Sequence, residues 1–230
     1  MPLTKSKGNM YPWVTHTHSH LSGKCSHECS YCYVRAMAER FPVMAERYSG
    51  QVRLIEPEFE VKYGSGRTIF IEHMNDLFAA DVPEDMIAAV LSHCDQHPDN
   101  TYVFQTKNPA RMVEWEGSLP SGSIIGTTIE SNRDYQVSKA PLVADRIQAI
   151  QEIKGHRRFI TIEPVLDFDV VPLAEMISSV NPWFVNLGAD SKNRGLPEPT
   201  VEKIMLLVEE LKSRGIDLRE KSNLSRLKAK

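Results

Sequence analysis

The sequence predicts an α/β fold, a partial (β/α)6 barrel with parallel strands. Short β-branched and aromatic runs of four to six residues recur from Arg67 onward, and a segment with helical apolar spacing follows most of them. Strands separated by helices pair in parallel through right-handed crossovers. About six such units can be counted, short of the eight that close a barrel.

Taken in order, residues 1–12 form an N-terminal arm, and Trp13–Leu21 reads as the first strand, ending at the loop signal Ser22-Gly23. Strand alternation places Val14, His16, His18 and His20 on one face, a wall of hydrogen-bonded histidines or the ligands of a second metal. Ser30–Phe41 follows as a helix closed by Pro42, with Val34, Met37, Ala38 and Phe41 at three- and four-residue steps. Residues 42–66 form an excursion with short strands expected around Val52–Ile55 and Phe59–Lys62.

The regular alternation starts with the strand Thr68–Ile71. Pro83-Glu84-Asp85 opens a helix whose Met86, Ile87, Val90 and Leu91 are its apolar face. Strands are expected at Thr101–Phe104, Ile124–Ile129, Phe159–Ile162 and Trp183–Leu187. Helices are expected from Asn108-Pro109, up to about Ile153, over Val171–Val180 and over Val201–Arg214, with a last strand near Ile216–Leu218. Residues 215–230 are expected as a basic, solvated C-terminal tail, and the whole chain of 230 residues as a single domain.

With 27 basic and 30 acidic side chains the net charge is −3, which offers no global case for nucleic-acid binding. The ends are locally basic: residues 1–24 hold Lys5, Lys7 and Lys24 without an acid. No apolar run approaches the ~20 residues of a membrane helix and the first ten residues lack the apolar core of a leader, so a cytoplasmic protein without membrane attachment is expected.

The chemistry concentrates in Lys24-Cys25-Ser26-His27-Glu28-Cys29-Ser30-Tyr31-Cys32-Tyr33. Three thiolates within eight residues form a metal-ligand pattern, and three protein ligands leave a metal position open where a closed structural site would use four. The competing reading is a non-catalytic module in which zinc, or a cluster serving structure or electron transfer, is held with His27, His16, His18 or His20 as a further ligand. A disulfide framework does not suit four cysteines in a chain long enough to bury a core.

This spacing, with an aromatic residue before the third cysteine, resembles the signature of the radical S-adenosylmethionine (SAM) superfamily. Together with Asn9-Met10-Tyr11-Pro12-Trp13, it resembles a small phage and bacterial radical SAM family, distantly similar to spore photoproduct lyase. The resemblance implies a partial barrel of the radical SAM type, with Cys25, Cys29 and Cys32 on three irons of a [4Fe-4S] cluster and SAM on the fourth. It implies reductive cleavage of SAM, hydrogen abstraction from a substrate, possibly a nucleotide or nucleic acid, and a flavodoxin- or ferredoxin-type electron donor. Tyr31 matches the aromatic position beside the adenine.

Ligands of parallel α/β folds gather at the carboxyl ends of the strands. There the resemblance assigns Asn75 and Asp76 to the SAM ammonium group, in place of the family's Gly-Gly-Glu, and Lys107 to its carboxylate. Glu130 and Ser131 are assigned to the ribose hydroxyls, with Ser131 alternatively a helix N-cap, and Glu163 to SAM or substrate. Arg146 is expected to serve a structural ion pair. Cys94, within a helix, is the only cysteine beyond the three and an unsuitable hydrogen-atom donor, which departs from the lyase pattern.

Overall fold

The computed structural model describes residues 3–192 and 194–228. An edge strand, β1 (Thr4–Lys5), pairs antiparallel with β2 (His16–His18). The chain then leaves the sheet through β3 (Leu21–Ser22), the cysteine loop, α1 (Tyr33–Arg40), α2 (Pro42–Arg47), β4 (Arg53–Leu54) and a 3-10 turn at Glu56–Glu60. It returns in β5 (Thr68–Ile71) and alternates through α3 (Glu84–Asp95), β6 (Thr101–Thr106), α4 (Pro109–Glu114), β7 (Ile124–Thr128) and α5 (Val143–Glu152). β8 (Arg157–Ile162), α6 (Val170–Ser179), β9 (Phe184–Leu187), α7 (Val201–Ser213), β10 (Leu218–Glu220) and α8 (Ser225–Lys228) complete it.

The sheet runs β1-β2-β5-β6-β7-β8-β9-β10, and every neighbouring pair from β2 to β10 is parallel. Six crossovers therefore join seven parallel strands with separate edges, the partial barrel of radical SAM type expected from the sequence.

The strands are apolar on both faces because both are covered. On the outer face Ile69, Ile71, Tyr102 and Phe104 pack with Ile87, Val90 and Leu91 of α3, while Ile160, Ile162, Val185 and Leu187 pack with residues of α6 and α7. On the inner face Phe70, Val103, Ile124, Phe159 and Phe184 form one layer, plugged by Tyr11 and Val14 of the chain's first segment. Gly126 makes room for this layer: a Cβ there would sit 2.2 Å from the Phe159 ring, which stacks on Phe184 at 5.2 Å. Trp13 meets both rings edge-on.

Several expectations are corrected. Only His16–His18 of the first strand pairs with the main sheet. Val14 turns into the inner layer, and Leu21–Ser22 leaves to pair with β4. The stretch Phe59–Lys62 does not form a strand, because Pro57 with its acidic neighbours opens a 3-10 turn through Glu60. α1 begins at Tyr33, since Cys29–Cys32 is still loop, and α5 begins only at Val143, after the Pro141-Leu142 step. The basic C-terminal segment is folded as far as Lys228, residues 229–230 lying outside the described ones: Leu224 and Leu227 are buried, and Lys221, Arg226 and Lys228 are ion-paired with Glu163, Glu198 and Glu220. Among the described residues no helix is long and apolar enough to cross a membrane.

Candidate metal and cofactor site

Strand alternation also grades the inner face along its length. Above the apolar layer lie Gln105, Thr128, Thr161 and Asn186, linked by side-chain hydrogen bonds, and two residues further on each of β6, β7 and β8 stand Lys107, Glu130 and Glu163. The charged side chains thus collect at the carboxyl ends of the strands, where the cysteine loop also lies.

That loop is tied on every side. Gly23 enters it at φ +94°, with Gln51 O 2.3 Å from where a Cβ would be, so only glycine fits. Backbone bonds join Gly23 N to Arg47 O, Lys24 N to Gly50 O, Ser30 N to Val137 O and Lys139 N to His27 O, each at 2.7–3.0 Å. Half-buried Glu28, at φ 46°, is held between Lys24 (2.6 Å) and Lys139 (2.8 Å). His27 reaches inward and places Nε2 2.8 Å from Asp76 Oδ2.

Cys25, Cys29 and Cys32 are free and half-buried. Burial, followed by the Asp76 charge, pushes the Cys25 thiol up to about 12, and burial also raises Cys29. Thiolates in this setting need cationic charge beside them, and bound metal supplies it. Ligands of one zinc ion, about 2.3 Å from each sulfur, lie no more than about 4.6 Å apart. Among the described residues the three sulfurs are not all within 4.8 Å of one another. Three thiols in one loop form a donor set that suits an iron–sulfur cluster with one metal position left open.

Tyr31, Lys107 and Glu130 are brought together beside Cys29. The Tyr31 hydroxyl donates to Glu130 Oε1 in a short hydrogen bond. Lys107 Nζ lies 3.8 Å from the same oxygen and 5.3 Å from the Tyr31 ring centre. Arg146 Nη1 donates to Glu130 Oε2 at 2.9 Å and to Thr128 O at 2.9 Å, so Arg146 serves the expected ion pair. Burial works to raise the Glu130 carboxyl. Lys107, Arg146 and the Tyr31 hydroxyl overcome it and hold the group below its ordinary value.

Asp76 does not stand free to receive an ammonium group. Oδ2 accepts from His27 Nε2 and from Lys107 N at 2.8 Å, and Oδ1 accepts from Phe78 N at 3.0 Å. It is a buried tie between the cysteine loop, the end of β5 and the end of β6. Asn75 is likewise engaged, donating to Gly23 O at 3.2 Å and accepting from Asp76 N at 2.9 Å. Ser131 is no helix N-cap, since α5 starts twelve residues later; its buried hydroxyl donates to Asp167 O and accepts from Arg133 N.

Glu163 anchors a second polar group on the same inner face, at the end of β8. It accepts from Asn9 Nδ2 (2.8 Å), Asn223 Nδ2 (2.7 Å) and Lys221 Nζ (2.7 Å), and Gly188 leaves the space its carboxylate fills. Tyr11 completes this group, its hydroxyl donating to Gln105 Oε1 at 2.7 Å beside Thr161 Oγ1 at 2.8 Å. Sequence reasoning missed Asn9, Lys221 and Asn223 here, and His27 as a partner of Asp76. The available signal was the Asn9–Trp13 stretch, but its partners lie 94 to 182 residues away.

Of the histidines expected on one face, His18 and His20 are buried together, while His16 stays apart against Thr15 at 2.9 Å. Cys94 is buried on α3, as expected for a residue with no role at the mouth.

The chain belongs to the family described as "Protein of unknown function (DUF5131)", whose model matches residues 9–209. No curated protein matches the sequence. Among solved structures the chain is similar to a cysteine-to-serine variant of spore photoproduct lyase at TM-score 0.58 and 11% identity, covering 90% of this chain and 64% of that one. A variant with bound AdoMet and dinucleoside spore photoproduct gives 0.56 and 11%, covering 91% and 64%. Spore photoproduct lyase complexed with dinucleoside spore photoproduct gives 0.58 and 10%, covering 93% and 66%. The chain thus spans just under two thirds of the length of these proteins, and at this identity the likeness concerns the fold.

Proposed function

We propose that this DUF5131 member is a radical SAM enzyme acting on a nucleotide or nucleic-acid substrate. One observation carries the reading: three free, half-buried cysteines in one loop after the first parallel strand, above the carboxyl ends of a partial barrel. Cys25, Cys29 and Cys32 would hold a [4Fe-4S] cluster. Bound there, the cluster and SAM supply reductive cleavage of the cofactor and hydrogen abstraction from substrate.

The chain's own residues orient and enclose. Lys107 presents an ammonium to the SAM carboxylate, kept in place by Glu130 and the Tyr31 ring. Tyr31 and Glu130 fix each other beside Cys29, where the adenosine end would lie, and Arg146 keeps Glu130 ionised. Asp76, Asn75 and Ser131 act as positioning residues: they hold the cysteine loop and the strand ends through bonds already made. Glu163 with Lys221 offers a carboxylate and an ammonium on the far side of the mouth, suited to substrate.

Support for the substrate class comes from the dinucleoside bound in the similar structures. A flavodoxin- or ferredoxin-type protein is the electron donor this chemistry calls for.

The test is anaerobic reconstitution with iron and sulfide, reduction with dithionite, addition of SAM, and mass spectrometry for 5′-deoxyadenosine. Product is expected from the wild type and falls at least 100-fold in Cys29→Ala. A Cys29→Ala protein with a full cluster and unchanged SAM cleavage would overturn the ligand assignment. Mobility shift with DNA and RNA at stated salt tests the substrate class; no binding at low salt points to a small molecule instead.

A further inference from the structure

Behind the root of the cysteine loop, on the outer face of the sheet, His18 of β2, His20 just beyond it and His93 of α3 meet in a fully enclosed cluster. One ligand nitrogen from each lies within 4.8 Å of those of the other two, the one such group of three His, Cys, Asp or Glu side chains among the described residues. The rings pack edge to face, His18 on His20 at 4.5 Å and His20 on His93 at 5.0 Å. Tyr63 brings its hydroxyl to 2.6 Å from His18 Nδ1 and 3.0 Å from His20 Nε2.

The outward nitrogens settle where the ring protons sit. His93 Nε2 lies 3.1 Å from Val61 O, which can only accept, so His93 carries its proton there and leaves Nδ1 as a lone pair. His20 Nδ1 lies 2.8 Å from Glu72 Oε1, and Glu72 also accepts from His20 N and Leu21 N, so it acts as a carboxylate. A neutral His20 therefore donates outward and turns the Nε2 lone pair inward. His18 Nε2 lies 3.2 Å from Glu58 Oε2 and follows the same pattern. The result is two lone pairs facing each other, His20 Nε2 and His93 Nδ1 at 2.8 Å, with a third nearby on His18 Nδ1. The Tyr63 hydroxyl has one proton to share between His18 Nδ1 and His20 Nε2, and the facing pair on His20 and His93 has none between them.

An added proton on His20 satisfies the His20–His93 contact alone. A divalent cation satisfies all three nitrogens at once. Each outward nitrogen is anchored on a carboxylate or a backbone carbonyl, the support that fixes the tautomer and orientation of metal-bound histidines. Nitrogens bound to zinc at about 2.0–2.1 Å are separated by about 3.4 Å, so the His20 and His93 nitrogens, 2.8 Å apart, part by roughly half an ångström to take the ion, while all three stay within the observed 4.8 Å. Neutral imidazoles with a phenol oxygen form a borderline donor set suited to Zn²⁺ or Co²⁺, unlike the oxygen sets of Mg²⁺ and Ca²⁺.

We propose that His18, His20 and His93, with Tyr63 oxygen as the fourth donor, form a buried structural site for one divalent transition metal of the zinc class. The site is distinct from the cysteine loop. It pins the excursion, through Tyr63 and Glu58, onto α3 and the start of the sheet.

The test uses the full chain as Cys25→Ser/Cys29→Ser/Cys32→Ser, which removes thiolate competition. After incubation with zinc chloride and desalting, about one zinc per chain is expected, and X-ray absorption at the zinc edge shows nitrogen and oxygen neighbours with imidazole outer scattering. Zinc below one tenth of an equivalent, or sulfur scattering, would overturn the proposal. His20→Gln and His93→Gln are expected to lower zinc at least tenfold, with His16→Gln unchanged; retention in the first two would also overturn it. Should those variants fail to fold, the zinc-edge spectrum of the folded cysteine variant decides. The outcome does not depend on SAM chemistry, so its failure is separate from failure of the enzyme reading.

Discussion

Two clusters of side chains of metal-binding type, the cysteine loop and the histidines that begin with His18 and His20 just before it, are built in opposite ways. The cysteine loop is half-buried, carries three thiols, and opens toward Lys107, Glu130 and Tyr31 at the strand ends. The histidine cluster is sealed, and every outward ring nitrogen is already spent on Glu58, Glu72 or Val61. An open ligand set facing a group of charged side chains is suited to chemistry. A closed set whose supporting shell is complete is suited to holding the fold.

The contrast can be broken first at the histidines. His20→Ala removes a buried side-chain hydrogen bond to Glu72, which keeps only its backbone donors, and opens a cavity in the cluster, so a loss of about 2–4 kcal/mol is expected. For a chain of this size that lowers the midpoint by roughly 10 °C in a thermal scan. A change below about 1 kcal/mol would mean that the cluster is not a structural element.

Asp76→Asn, at the joint between loop and sheet, is expected to cost about 2 kcal/mol, because the His27 bond loses its charged acceptor. Its more telling effect is local: faster hydrogen exchange across residues 24–32 and less iron per chain after reconstitution. Uniform loss of protection over the whole sheet would place Asp76 in the core instead of in the tie.

Lys107→Met is expected to cost no more than about 1 kcal/mol, since Arg146 and Tyr31 still hold Glu130. SAM binding should weaken at least tenfold, about 1.4 kcal/mol. Equal SAM affinity in wild type and variant would remove Lys107 from the site. Smallest in stability is Cys25→Ser/Cys29→Ser/Cys32→Ser, within about 0.5–1 kcal/mol, because each change replaces a single atom of a half-buried side chain. Iron binding, by contrast, should be lost entirely, as measured by iron per chain.

The strand-end residues were legible because a period of two is enough to find them. Val103, Gln105 and Lys107, or Phe159, Thr161 and Glu163, point the same way whatever the rest of the chain does. What such a period cannot carry is who already occupies a side chain. Asp76 looked free, yet its oxygens are taken by His27, a loop residue, and by a backbone N–H of β6's end. His16 shares the spacing of His18 and His20, but the third member of the cluster is His93, supplied by a helix 73 residues beyond His20. Tyr63 and Glu58 come from the excursion, the stretch with the weakest periodic signal. The 3-10 turn at Glu56–Glu60 that places Glu58 was mistaken in part for a strand.

The inner plug sets an order of events during synthesis. Tyr11 and Trp13 leave the ribosome early, but Phe159, Thr161 and Phe184, against which they pack or bond, follow about 150 residues later. At 5–20 residues per second the interval is roughly 10–30 s. Throughout it the stacked Tyr11–Trp13 pair has only the Phe70, Val103 and Ile124 part of its layer to enter, so an apolar segment made well before its partners is among the last parts of the core to be closed over.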